Sequence, residues 1–241
     1  MTVQQRIEEA IEAIFNISIR IHGSSRTDTG VHAIGMVAHF DIPLPDRHVV
    51  HGKINSPMDG VMSSEKLPLA LNSQLPEDIR IISAQVVPET FHARFSATGK
   101  QYRYYIWNHR HANPHLRKTS WHVTLPLEIE CMRTAAGFLP GTHDFRSFAN
   151  NHTYPIEDTV RTITRVNIRK AGPLITIIIE GDGFLYKMCR GIAGTLKQVG
   201  SGKFEPGIIP AMIAQKNREY AGQTAPPHGL FLWKVFYGNT Q

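Results

Sequence analysis

The sequence predicts an α+β fold with mostly antiparallel sheets. Helical and extended segments are interspersed along the chain. The extended segments 159–169 and 173–181 are separated by a tight Ala-Gly-Pro turn, a connection that joins antiparallel strands and is too short for a parallel crossover. No self-similarity at a solenoid period runs through the sequence.

The elements follow in order. Thr2 and Gln5 stand at capping-box spacing, and Val3, Ile7, Ile11 and Ile14 form one apolar stripe, predicting a helix at the start. Asn16–Ile21 and Ile34–Phe40 carry enough β-branched and apolar residues for half-buried strands. Residues 42–66 are rich in Pro, Gly, His and Ser without periodicity and predict a long surface loop. A short helix near Leu67–Ser73, a strand at Ile79–Val87 and extended segments at Phe91–Ser96 and Gln101–Asn108 come next. Pro and His then break the pattern over 109–126. That break divides the chain into an N-terminal α+β lobe, 1–110, and a C-terminal α+β lobe, 111–241. The second lobe reads as helix 127–139, loop 140–158, strands 159–169 and 173–181, helix 184–199, a weaker helix near 206–216 and a last strand 229–237.

The chain has 241 residues, 41% apolar and 19% charged, which fits an ordinary globular protein with a sizeable core. Its 26 Lys and Arg against 20 Asp and Glu leave a net charge of +6, suited to a polyanionic partner. Cys131 and Cys189 offer no CxxC, the pattern of a reduced, cytoplasmic setting. No apolar run reaches the roughly 18 residues of a membrane span, and the N-terminus lacks the pattern of a signal peptide. Among the thirteen His residues, His109, His111 and His115 lie in a polar loop without a Cys/His frame, so no metal site is expected.

The loop Gly23-Ser24-Ser25-Arg26-Thr27-Asp28-Thr29-Gly30-Val31-His32-Ala33 is the leading candidate for chemistry. It sits between two predicted strands, where reactive side chains are commonly presented. Arg26, two residues from Asp28, favours a charged carboxylate, and such a group serves as nucleophile, general base or electrostatic stabiliser. The same residues also suit a plain turn, with Gly30 supplying a positive φ. On strand 159–169, Arg161, Arg165 and Arg169 recur on the face opposite Val160, Thr162, Thr164, Val166 and Ile168. They form either a basic track for phosphates or a solvated sheet face. On helix 184–199, Gly191 and Gly194 permit close packing. Lys187, Arg190 and Lys197 share one side, either as a wet face or with Arg190 pointing into a site. Tyr102 and Tyr104 alternate on a strand, as core residues or as a stacking surface for a base.

Six blocks, in order, resemble the TruA family of tRNA pseudouridine synthases. They are Ser25–Ala33; Leu71-Asn72 with Leu75-Pro76; Phe91–Ala97 leading into Tyr102-Arg103-Tyr104; Gly141–Phe145 with Ser147-Phe148; Gly183–Met188 with Arg190; and Gly229-Leu230 with Leu232. The resemblance implies an isomerase that converts uridine to pseudouridine at positions 38–40 of the tRNA anticodon stem-loop. It implies Asp28 as nucleophile, Tyr102 against the target base, Arg190 paired with Asp28, Arg26 holding the flipped nucleotide and Leu230 lining the pocket. Arg161 and Arg165 are the candidate phosphate contacts. The implied architecture is the pseudouridine synthase fold: two ferredoxin-like lobes around a central basic cleft, in a cytoplasmic homodimer, with no metal or organic cofactor. Two departures stand out. Family members open with a strand carrying Tyr-Asp-Gly and Gly-Trp-Gln strings, which is missing before Met1-Thr2-Val3-Gln4, and residues 42–66 are longer than the family's connection. Two rivals remain. An aspartic protease shares Asp28-Thr29-Gly30, but needs a second carboxylate and no second copy occurs. A non-catalytic RNA-binding protein would keep the basic surface without turnover.

Overall fold

Thr2 caps the first helix as its spacing predicts, its hydroxyl accepting a hydrogen bond from the Gln5 N–H, and Asn16 closes the helix in the left-handed region. The computed structural model describes residues 1–42, 62–150 and 158–238. Most of the expected loop 42–66, and residues 151–157 of the expected loop 140–158, lie outside them. The elements are α1 (Val3–Phe15), β1 (His22–Gly23), β2 (His32–Ala33), β3 (Ala38–His39), α2 (Leu67–Gln74), β4 (Ala97–Asn108), β5 (Trp121–Val123) and α3 (Ile129–Ala136). They continue with β6 (Gly141–Asp144), β7 (Val160–Ala171), β8 (Leu174–Gly181), α4 (Met188–Gly200), α5 (Ile209–Gln215) and β9 (Leu230–Tyr237). The class is α+β with mostly antiparallel pairing, as expected.

One compact unit comprises residues 1–24 and 37–96. The apolar stripe of α1 buries Ala10 and Ile11 in a core with Ile21, Leu67, Leu71, Leu75 and Ile79. The expected strands on either side of the Asp28 loop shrink to short pairs. In this unit they form a two-residue ladder, His22 opposite His39 and Gly23 opposite Ala38. Ile79–Val87 forms no strand either. The side-chain amide of Asn72 stands in for a neighbouring strand: its Oδ1 accepts from the Ile81 N–H and its Nδ2 donates to the Ile81 carbonyl, both at 2.8 Å. Phe91–Ser96 is a turn rather than an extended segment, because side chains capture its backbone. Ser96 Oγ accepts from the His92 N–H, and His92 Nδ1 accepts from the N–H groups of Arg94 and Phe95.

The other unit comprises residues 25–36 and 97–241. Its seven-stranded sheet runs β2-β9-β4-β8-β7-β6, with β5 pairing alongside β4. Alternation on β4 and β8 turns Tyr102, Tyr104, Ile106, Ile175, Ile177 and Ile179 into the core. On β7 the expected alternation fails. Thr164 is an extra residue between the Ile163–Gly181 and Arg165–Glu180 pairs, and this bulge switches which parity faces inward. Ile163 and Ile168 are therefore the buried pair, while Val160 is exposed.

Helix α4 begins at Met188, later than expected, because Lys187 takes a left-handed conformation with φ 59°. It is buried along nearly its whole length, from Met188 to Gly200. Its glycines permit this, as the sequence suggests: a Cβ on Gly191 would overlap the Phe148 carbonyl oxygen, and one on Gly194 the Gln223 carbonyl oxygen.

Candidate active site

Asp28 sits on a turn that is fastened to the sheet. The Val31 N–H donates to the Asp28 carbonyl at 3.0 Å, and Gly30 takes a positive φ of 82°. The loop is thus a turn of the expected kind, and it also fixes a carboxylate in place. Just beyond it, His32 and Ala33 pair in parallel with Phe231 and Leu232 of β9. The N–H groups of Ile34 and Gly35 both donate to the Leu232 carbonyl, at 2.9 and 3.1 Å. Those bonds tie the Asp28 turn to β9, next to the edge strand of the sheet, rather than leaving it on a free loop.

The structure brings Arg190 to Asp28. Arg190 Nη1 donates to Asp28 Oδ2 at 2.6 Å, and Arg190 Nε donates to the Ala225 carbonyl at 2.8 Å. The two side chains are 12% and 22% exposed, so the pair is largely withdrawn from water and its charge-assisted bond is correspondingly strong. Asp28 Oδ1 carries no hydrogen bond among the described residues. Arg26, expected to influence Asp28 through proximity in sequence, is exposed and lies outside ion-pair distance of it. Neighbours two apart on a turn need not face each other, and the stabilising cation comes from α4 instead.

Tyr102 is buried on β4, its hydroxyl 3.3 Å from Ser25 Oγ and its ring edge-on to Phe184 at 5.2 Å. Burial pushes its phenol well above the ordinary range, with Cys189 and Asp28 adding to the shift and the Ser25 hydrogen bond opposing it. Tyr102 is therefore a neutral hydrogen-bonding group at physiological pH, not a base. Burial likewise keeps the Cys189 thiol neutral. Leu230, also buried, lies opposite Tyr104 in the β4–β9 register. The Tyr104 hydroxyl donates to the Pro226 carbonyl at 2.9 Å.

Arg161 and Arg165 are not brought to Asp28. Three strands separate β7 from β2, and the two cations pair with Asp158 and Glu180 at 3.5 and 4.0 Å. Lys187, Arg190 and Lys197 do not share a wet face: Lys187 precedes the helix, and Lys197 lies over the Trp121 ring. Ser25, Phe184 and the Ala225 carbonyl are site components that composition and spacing leave unmarked. Ser25 and Phe184 do fall inside the Asp28 and Gly183–Met188 blocks, and that membership is the signal that points to them. Among the described residues no group of three His, Cys, Asp or Glu is arranged to hold a metal ion.

Known proteins resemble this chain along nearly its whole length. Residues 1–96 and 135–238 match the profile of a family described as tRNA pseudouridine synthase. The tRNA pseudouridine synthase A of Bacillus pumilus (strain SAFR-032) is 46% identical over 240 residues, spanning 99% of this chain and 90% of that protein. Its namesake in Bacillus subtilis (strain 168) is 41% identical over the same shares. The one in Thermoanaerobacter sp. (strain X514) is 42% identical over 237 residues, 98% of this chain and 90% of its own. With the family profile matching the Asp28 turn, α4 and β9, and the relatives aligning across 98–99% of the chain, this chain belongs to the tRNA pseudouridine synthase family.

Proposed function

We propose that this protein isomerises uridine to pseudouridine in tRNA, at positions 38–40 of the anticodon stem-loop, with Asp28 as the nucleophile. The observation that carries the reading is the Asp28–Arg190 pair: a carboxylate with one oxygen held at 2.6 Å and the other unengaged among the described residues. The reaction breaks the N1–C1′ bond of uridine and makes a C5–C1′ bond. C5 loses a proton and N1 gains one, so the change involves neither net redox chemistry nor hydrolysis and is written without a cofactor. Oδ1 of Asp28 attacks C6 of the ring or C1′ of the ribose, and the base then turns before rejoining through C5. Tyr102 packs against the base, Leu230 lines its pocket and Arg26 holds the extruded nucleotide. The base must leave its stack to be reached, at a cost of roughly a few kcal/mol that a loop or stem end lowers.

The net charge of +6 supports a polyanionic substrate, with phosphate contacts, Arg161 and Arg165 among them, making affinity salt-dependent. Among the described residues no helix is long and apolar enough to cross a membrane. The reading includes a homodimer working in the cytoplasm, as the resemblance to the family implies. The test is release of tritium from C5-labelled uridine in an unmodified tRNA transcript, without added cofactor. The protein is expected to release it, and Asp28→Ala to bind the transcript without release. Robust release by Asp28→Ala would overturn the nucleophile assignment. Binding without release by the unaltered chain would make it an RNA-binding protein only.

A further inference from the structure

A cavity of about 260 Å³ opens in the unit that carries Asp28, walled by Trp107, Asn113, Arg117, Trp121, His122 and His228. We propose that it binds an unpaired base of the RNA beside the target uridine, a second nucleotide subsite that fixes the substrate strand. The inference rests on the reading that the substrate is tRNA.

The cavity is tied to the candidate active site through the segment 225–228. Arg190, which holds Asp28, also donates to the Ala225 carbonyl, and the Tyr104 hydroxyl holds the next carbonyl, that of Pro226. Pro227 follows, close enough to Gly30 that a Cβ there would lie 3.2 Å from its Cγ. His228, the next residue, lines the cavity. A second link runs from the far side of the Asp28 turn: His32 Nε2 lies 2.8 Å from the carbonyl oxygen of Lys118, in the loop that forms the opposite wall. These two links fasten the walls of the cavity to the residues around Asp28, so a strand whose uridine reaches Asp28 can extend toward it.

The lining suits a base. Two indoles and a guanidinium offer flat faces for stacking, an interaction every base can make. Residues 108–123 contain Arg110, Arg117, Lys118 and four His but no carboxylate, which matches the phosphates flanking a bound base. The volume is near the lower limit of roughly 300 Å³ for small-molecule pockets, enough for a single base rather than an extended ligand.

The walls are also fastened before any ligand arrives. Trp107 Nε1 donates to the His111 carbonyl at 2.9 Å, His122 Nε2 lies 2.9 Å from the His109 carbonyl oxygen, and Ser120 Oγ donates to the Leu116 carbonyl at 3.0 Å. Trp121 and His122 pair with Ile106 and Trp107 in the β4–β5 ladder, and Tyr104 meets Trp121 edge-on. A preformed pocket of this kind loses little freedom on binding.

The experiment pairs protein variants with abasic RNA. A tRNA transcript with one uridine among positions 38–40 is made with single abasic nucleotides on either side of it. Binding and tritium release are measured for the full chain, Arg117→Ala and Trp107→Leu. One abasic position is expected to weaken binding by the full chain about tenfold, as loss of one stacked base does. Each variant should weaken binding to the intact transcript by a similar factor, yet bind that abasic transcript no worse than the full chain does. Arg117 is exposed, so its variant carries the comparison even where Trp107→Leu fails to fold. Effects that multiply, or no sensitive abasic position, overturn the subsite. A changed sedimentation coefficient in the variants with RNA affinity intact would assign the cavity to contact between copies of the chain, and overturn it equally. If the unaltered chain neither binds nor converts the intact transcript, the tRNA reading itself fails, and the subsite with it.

Discussion

Arg190 holds Asp28 by one end of its guanidinium and the backbone by the other, with Nη1 2.6 Å from Asp28 Oδ2 and Nε 2.8 Å from the Ala225 carbonyl oxygen. The planar fork makes this possible, since its donors point in fixed, divergent directions. The carboxylate is thereby oriented with one oxygen occupied and the other presented.

Arg190→Lys tests that geometry. The ammonium keeps the charge but loses the fork, so it cannot hold both oxygens at their present separation. Conversion of tRNA is expected to fall by about 10²-fold, the scale seen when one oriented electrostatic donor is lost. Affinity for tRNA should change much less, because Arg190 is 12% exposed and turned toward Asp28. Single-turnover rates set against filter-binding affinities check this, and an equal fall in both would make Arg190 a binding residue instead.

Gly194→Ala acts on the same relationship from behind. The added methyl meets the Gln223 carbonyl, two residues before Ala225. Overpacking at such a site destabilises by about 1–3 kcal/mol. The displaced segment also carries the carbonyl that anchors Arg190, so conversion at a temperature where the variant is fully folded should fall as well. Urea midpoints and rates measured together check both effects. Gly191→Ala, against the Phe148 carbonyl, should match it in stability loss. A Gly194→Ala protein with normal stability and rate would remove close packing as the reason for this glycine.

Much of this was legible before the fold was known, and the gaps have physical causes. The cap on α1, the hairpin 159–181 and the long strands β4, β8 and β9 follow from local pattern. The register of β7 does not, because the bulge at Thr164 depends on its partner β8. Ile79–Val87 has strand composition, yet its backbone partner at Ile81 is a distant side-chain amide, which periodicity does not encode. For the site, the Asp28 turn was visible as a turn. The identity of its cation was left open: helical spacing allowed Lys187, Arg190 and Lys197 to be a wet face or Arg190 to point into a site, and the ordered resemblance favoured the second. Which of three cations is turned inward is decided by the left-handed residue at Lys187 and by the close packing at Gly191 and Gly194.

Asn72 offers a test of the side-chain substitute for strand pairing. Asn72→Ala removes both hydrogen bonds to Ile81 and leaves a part-buried N–H and C=O without those partners. A loss of about 1–3 kcal/mol is expected. Asn72→Asp keeps the acceptor and loses the donor, and should lie between the two. Faster hydrogen exchange at the Ile81 N–H in Asn72→Ala, but not in Asn72→Asp, would identify the cause. Unchanged exchange in Asn72→Ala would remove it.

Stability should also depend on pH through His39. Its Nδ1 accepts from the Ala93 N–H at 3.1 Å, so the ring is held in its neutral form. Desolvation holds its pKa below the usual 6.5, helped by the imidazoles of His92 and His22, while Asp41 and a backbone hydrogen bond at His22 oppose the shift. His22 stacks on His39 at 5.1 Å and His92 meets it edge-on at 4.6 Å. Because the folded pKa lies below the unfolded one, the unfolded chain binds more protons once the pH falls below about 6.5, and stability declines there. The contribution is complete above that value and is lost as the pH drops toward the folded pKa. His39→Asn supplies an acceptor oxygen in place of Nδ1 without titrating. Its urea midpoint should therefore fall less between pH 7.5 and 5.5 than that of the unaltered protein. Parallel declines in the two proteins would place the pH dependence in groups other than His39.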